Sequence, residues 1–274
     1  MVIAEDKKIT SVHNPKIKQL LLLQQKSSER RKNNLFVVEG RRELLHCLEA
    51  KYEINSVFCL HNIKAGVASI LDDGVDVYEV TPEVYSKIAY RGTTEGVSAI
   101  VRSKTMFLDD IKNVGAPLLV VLEKVEKPGN LGAVMRSADA SGVDAVIVCD
   151  PLTDIYNPNL IRSSVGAVFT VPCITCTSQE CIAWLKRNNI QILTAQLQNS
   201  KPYYEFSMVS GTAIVMGTES TGLTDTWRNA ADGHVRIPML GKLDSLNVSV
   251  SAAILMYEAV RQRAALNLIE NNNE

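Results

Sequence analysis

Five short apolar runs in the second half of the chain set the narrowest limits on its fold. They are residues 117–125 (PLLVVLEKV), 144–150 (DAVIVCD), 191–197 (QILTAQL), 211–217 (GTAIVMG) and 233–239 (GHVRIPM). Several are continuous rather than alternating, the pattern of strands whose two faces are both covered. Between and after them the sequence predicts helices near 130–141, 158–166, 178–188, 224–231 and 247–264. Strands alternating with helices in this way give an α/β fold with a parallel sheet.

The first hundred residues read as a smaller α/β domain. The stretch 14–33 (NPKIKQLLLLQQKSSERRKN) predicts one helix with Ile17, Leu20, Leu21 and Gln24 inward, and 40–51 a second helix with Leu44, Leu45 and Leu48 inward. LFVVE, INSVFCL, VDVYEV and EGVSAIVR are strands. Thr81-Pro82 starts a further helix, Thr81 as N-cap and Pro82 at the first helical position. The chain of 274 residues therefore divides into residues 1–102, a connection at 103–116, and a second domain at 117–274.

Charge separates the two. Residues 7–51 hold eleven Lys/Arg against four Glu, +7 in a chain of net charge −1, which leaves −8 for the remainder. A basic segment on an otherwise acidic protein suits a polyanion such as RNA, although a solvated helix face accounts for it equally well. No apolar segment has signal-peptide or membrane-spanning length, so no membrane partner is expected. The six scattered cysteines fit a reducing, cytoplasmic setting. Cys173 and Cys176 form a single C-x-x-C with Cys181 nearby, without the second pair or spaced histidines of a zinc site, so no metal is expected.

Three stretches carry candidate chemistry. In 127–142 (KPGNLGAVMRSADASG), Asn130 reads as the N-cap of a helix on which Arg136 lies between Gly132 and Ala140, both small and four residues away. The glycine spacing fits neither the phosphate loop nor the dinucleotide fingerprint, which argues against a nicotinamide enzyme. A structural cap and an anion or hydroxyl site both remain open for it. In 214–225 (IVMGTESTGLTD), Gly217 follows a strand, Glu219 sits in a polar loop, and Thr224 caps the next helix. In 236–260 a strand ends at Ile237-Pro238-Met239, and Asn247 caps a long helix that begins with small residues.

Taken together, N-x-L-G-x-x-x-R, G-x-E-x-x-G-L and I-P-M...S-L-N-V-S-x-A resemble the three motifs of the SpoU/TrmH family of RNA methyltransferases, over about residues 116–264. The stretch ITSVHNPKIKQL...NNLFVVEGRRELLHCL is similar to the ribosomal-protein-like substrate-binding domain of many members. The chain departs from the family pattern at Ser220, where glycine is common, and at Glu123-Lys124, where an Asp-Asn-like pair is usual. The resemblance implies a C-terminal trefoil knot, a homodimer, and S-adenosylmethionine bound near Gly217, Ile237, Met239, Leu246, Asn247 and Ser249. It assigns methyl transfer to a ribose 2′-hydroxyl to Arg136, Asn130 and Glu219, with ribosomal RNA as the favoured substrate. Transfer RNA, and a non-catalytic RNA-binding protein on the same fold, are the competing readings.

Overall fold

The computed structural model describes residues 7–90, 95–111, 115–218 and 220–271. The chain forms two compact units, Met1–Lys104 with Tyr156–Phe169, and Thr105–Ile155 with Thr170–Glu274.

The first unit runs β1 (Lys8–Ile9), α1 (Pro15–Gln25), α2 (Ser27–Asn33), β2 (Leu35–Glu39), α3 (Arg41–Glu49), β3 (Ile54–Cys59), α4 (Lys64–Ala68), β4 (Asp76–Val80), α5 (Pro82–Ile88) and β5 (Val97–Arg102). Its sheet has the order β1-β4-β3-β5-β2, parallel from β1 to β3 and antiparallel on both sides of β5. Helix α5 begins as its sequence dictates, with Thr81 Oγ1 accepting from the amide of Val84 and Pro82 at the first position.

Periodicity predicts one helix over 14–33, but the chain breaks it at Lys26 (φ −118°, ψ 116°). The reason lies in Arg30, which is buried and donates from Nη1 to the carbonyls of Leu23 (2.6 Å) and Gln24 (3.2 Å). Those carbonyls end α1 without helical partners, and the guanidinium takes the place of the next turn. One cation of the basic segment is thus structural, while Lys16, Lys18, Lys26, Arg31 and Lys32 remain exposed on α1, α2 and their junction. Leu23 rather than Leu21 completes the inward face of α1, and Cys47 with Glu43 takes the positions in α3 expected of Leu45 and Leu48, which are half-buried.

The second unit contains β6 (Leu118–Glu123), α6 (Pro128–Ser141) and β7 (Ala145–Cys149). The chain then returns to the first unit through 156–169, which carries α7 (Pro158–Ser164) and most of α8 (Ala167–Thr170). The segment Tyr156–Phe169, inside the stretch expected as the second domain, thus packs with the first unit. Aromatic packing explains the return, since Tyr156 stacks on Phe36 at 4.2 Å and its hydroxyl donates to the Lys104 carbonyl at 2.8 Å. Phe169 packs beside the same Phe36 ring.

Beyond this excursion lie β8 (Cys173–Cys176), α9 (Ser178–Arg187), β9 (Gln191–Ala195), β10 (Lys201–Pro202), β11 (Thr212–Met216), α10 (Asp225–Ala230), β12 (Gly233–Arg236) and α11 (Val248–Asn271). The sheet order is β10-β12-β9-β11-β6-β7-β8, and every described pairing is parallel. Strands β6, β7 and β11 are buried along their whole length, as continuous apolar runs require. The order starts in the middle at β6, moves outward through β7 and β8, then crosses back to β9. Such a reversal leaves a crevice beyond the C-terminal ends of the strands around it. Among the described residues, no helix is long and apolar enough to cross a membrane.

Candidate cofactor and active site

That crevice is present. The segments after β9, β11 and β12, together with 244–248, line a cavity of about 560 Å³, within the roughly 300–1,000 Å³ common for small-molecule sites. Of the residues expected at a cofactor, Gly217, Ile237, Met239, Leu246 and Asn247 line it. Ser249 does not; its hydroxyl and its amide both donate to Asn247 Oδ1, at 2.6 and 3.0 Å. Asn247 therefore holds the first turn of α11, the capping role its sequence position suggests.

The loop after β11 closes on itself. The Gly222 amide donates to the Thr218 carbonyl at 3.0 Å, and the Thr221 amide to Thr218 Oγ1 at 3.0 Å. A Cβ on Gly217 would run into the backbone of Gly222 and the amide of Leu223. Clearance for a ligand would by itself explain a glycine here, but the structure gives a stronger cause in the loop's own backbone. Thr224 stands at the N-cap position of α10 without a side-chain cap, contrary to expectation. Its hydroxyl donates instead to Glu123 Oε1 at 2.7 Å and its amide to Oε2 at 2.8 Å. Glu123, buried at the end of β6, thereby fixes the far side of the loop.

A smaller recess of about 100 Å³ is lined by 125–127 and Asn130, and shares Gly217, Thr218, Ser220 and Val248 with the main cavity. Helix α6 starts at Pro128, two residues before the expected cap, because proline suits the first helical position. Asn130 is thus in the first turn, and its Oδ1 accepts from Asn247 Nδ2 at 3.2 Å. That bond ties the first motif to the third across 117 positions. Arg136 is exposed further along α6, lines neither recess, and has no hydrogen-bond or ion-pair partner among the described residues. Glu219 lies outside the described residues.

Two lining residues have no motif to announce them. Gln196 follows β9, and Arg228 projects from α10. Gln196 Oε1 and Arg228 Nε are both buried without a partner among the described residues. Buried polar atoms are normally satisfied. Both residues line the cavity, which thereby offers an amide and a guanidinium (its Nη1 3.6 Å from Asp225) and fits a ligand carrying amino, hydroxyl and carboxylate groups. The apolar wall of Leu197, Leu223, Ile237, Met239 and Val248 suits a flat heterocycle. S-adenosylmethionine has all of these groups.

Fold and cleft define an α/β protein that holds a small molecule at the C-terminal edge of a parallel sheet. Residues 117–257 match the SpoU rRNA Methylase family, and residues 14–99 the MRM3-like substrate binding domain. The chain belongs to the SpoU rRNA methylase family. It is 38% identical, over 69% of its length and 80% of the relative's, to the 23S rRNA (guanosine-2′-O-)-methyltransferase RlmB of Bordetella pertussis. With the 23S rRNA (guanosine(2553)-2′-O)-methyltransferase RlmP of Bacillus subtilis it shares 29% identity, over 92% of this chain and 98% of that one. The crystal structure of an AdoMet-bound rRNA methyltransferase from Sinorhizobium meliloti superposes with a TM-score of 0.87, at 28% identity, over 93% of this chain and 97% of that one.

Proposed function

We propose that the protein transfers the methyl group of S-adenosylmethionine to a ribose 2′-hydroxyl in large-subunit ribosomal RNA. The observation that carries this is the meeting of the three motif stretches at one cavity, with Asn130 bonded to Asn247 where the two recesses join.

When bound, S-adenosylmethionine supplies a methyl group on a sulfonium, already electrophilic. The backbone of 217–218 and 220–223 and the side chains of Ile237, Met239, Leu246 and Asn247 hold it, Arg228 meets its carboxylate, and Gln196 accepts from one of its donors. Ser249 acts one step back, by fixing Asn247. The smaller recess beside Asn130 faces the RNA. Guanidinium groups do not lose their proton in proteins. Arg136 is therefore assigned to stabilise the alkoxide as it forms or to clamp the neighbouring phosphate, while the hydroxyl proton leaves to solvent. Glu219 is assigned to hold Arg136 or the ribose.

The exposed cations of α1 and α2 give the first unit its affinity for RNA phosphates, with the steep salt dependence such contacts bring. The protein acts as a homodimer, a reading supported by apolar side chains left exposed on 240–250 and α11: Leu240, Leu243, Val250 and Tyr257. The trefoil knot belongs to the same reading, supported by the passage of 237–247 against the loops after β9 and β11 in one cavity wall.

The test is to map 2′-O-methylation in ribosomal and transfer RNA from cells with and without the gene, alongside calorimetry with S-adenosylmethionine. Loss of one ribosomal methylation with micromolar cofactor binding is expected. A methyl lost from transfer RNA alone would move the substrate, and no cofactor binding would leave the non-catalytic reading. Arg136→Ala should abolish methyl transfer while leaving cofactor binding within about twofold of the parent.

A further inference from the structure

Three thiols that line neither recess converge on one point. Cys149 ends β7 and Cys176 ends the neighbouring edge strand β8, and the parallel register sets the two directly opposite each other. The chain turns from β8 into α9 without delay through the Thr177–Glu180 capping box, which brings Cys181 over the same spot. The three sulfur atoms lie within 4.8 Å of one another, and Cys149 and Cys176 are 3.9 Å apart.

Spacing in the sequence points to the wrong pair. Residues three apart on a strand face opposite sides of the sheet, so Cys173 cannot join Cys176. The partners of Cys176 are 27 residues upstream and five downstream, on two other elements.

The geometry matches a chelate better than a disulfide. Three sulfurs each about 2.3 Å from a central ion stand about 4.0 Å from one another in a plane. A disulfide would need Cys149 and Cys176 to close to about 2.05 Å and would leave Cys181 unused. The nearby carboxylates are committed elsewhere. Asp150 Oδ2 accepts from Ser178 Oγ at 2.6 Å, and Glu180 Oε2 accepts from the amide and the hydroxyl of Thr177, each at 2.8 Å. Among the described residues the donor atoms that meet within 4.8 Å are sulfur alone, which selects soft ions over magnesium or calcium. Cys149 and Cys181 are buried, while Cys176 is half-buried and leaves a way in.

We propose that Cys149, Cys176 and Cys181 form a three-thiolate site for a thiophilic closed-shell metal ion, monovalent copper or zinc. Binding one ion displaces the thiol protons to solvent, with no change in sulfur oxidation state. Copper(I) is complete with three sulfurs, and zinc takes a water as its fourth ligand. The ion would pin the edge strand β8 and the start of α9 to β7.

The experiment uses the full chain, reduced and stripped of metal, titrated without oxygen with cadmium(II) as the spectroscopic probe and with zinc(II) and copper(I) in separate arms. One equivalent per chain is expected, with a thiolate-to-metal charge-transfer band for cadmium and a rise in melting temperature for the native ion. Retention of zinc but not copper through dialysis, or the reverse, identifies which ion. Cys176→Ser and Cys181→Ser should each remove the band, whereas Cys173→Ser should keep it. Cys176 is half-buried, so its serine variant is the one least dependent on core packing, and its circular dichroism spectrum checks that it folds. Absence of stoichiometric binding in all arms, or an unchanged band in folded Cys176→Ser, overturns the site.

Discussion

Glu123 offers a direct test of how the cofactor loop is held. It is buried at the end of β6 and accepts two hydrogen bonds from Thr224, at 2.7 and 2.8 Å, across 101 positions of sequence. Hydrogen bonds to a charged partner contribute about 1.5–3 kcal/mol each, so Glu123→Ala should cost at least about 3 kcal/mol. For a domain of this size roughly 2–4 °C is lost per kcal/mol, which puts the drop in melting temperature at about 6–12 °C. Glu123→Gln keeps an acceptor for the Thr224 amide and loses only the charge assistance, so about 1 kcal/mol is expected. Thr224→Val removes the hydroxyl bond alone and should fall between the two. Because both side chains serve one contact, Glu123→Gln combined with Thr224→Val should be non-additive by at least about 0.5 kcal/mol. The functional readout is calorimetry with S-adenosylmethionine. Loss of the anchor lowers the fraction of molecules with a competent loop, and apparent affinity falls in proportion; about 1.4 kcal/mol of shift is tenfold. Glu123→Ala should therefore bind at least about tenfold more weakly. If it melts within a degree of the parent and binds the cofactor equally well, the loop is not held from β6 and the account of this wall is wrong.

Gly217→Ala places a methyl against the backbone of Gly222 and Leu223, so the loop must open; cofactor binding should weaken at least tenfold by calorimetry while circular dichroism stays near that of the parent. Arg228→Gln should raise the dissociation constant for S-adenosylmethionine about tenfold, yet leave the constant for methylthioadenosine, which lacks the carboxylate, unchanged. In the first unit, hydrogen bonds from His61 (3.0 Å) and Lys64 (3.1 Å) hold the Glu79 carboxyl at about 2, well below its ordinary value of 4.5. A carboxylate depressed by folding stabilises fully above its unfolded value and loses that contribution as pH falls toward the folded one. Urea midpoints should therefore decline between about pH 5 and pH 2, and Glu79→Gln should flatten that decline.

Much of the sheet was legible because buried parallel strands leave an unmistakable trace: the five apolar runs are β6, β7, β9, β11 and β12. Edge strands leave less. The two-residue β1 and β10 have no periodicity to read, and CITC reads as a thiol motif before it reads as β8. Motif residues could be listed from the sequence but not placed, since which recess a residue lines depends on how separate loops meet. The break at Lys26 and the loss of Arg30 to the interior were invisible for a related reason. An arginine amid lysines looks solvated until the carbonyls it serves are known. Gln196 and Arg228 carry no local signal; only their unpaired buried atoms single them out.

A parallel sheet also explains why a site can be drawn from such distant stretches. Every strand of the second unit releases its chain at the same edge, so the ends of β6, β9, β11 and β12 meet there whatever their order in sequence. The bond between Asn130 and Asn247 then joins the α6 side to the α11 side at the cleft, as Tyr257 and the Ala140 carbonyl do further along the two helices. Asn247 divides its amide between them: Oδ1 accepts from the Ser249 amide and hydroxyl, and Nδ2 donates to Asn130. Aspartate would keep the first function and set two acceptors against each other at the second. Serine would cap the helix but could not reach both partners. An asparagine is thus the small side chain that starts α11 and joins it to α6 at once, and a change there should disturb helix and cleft together.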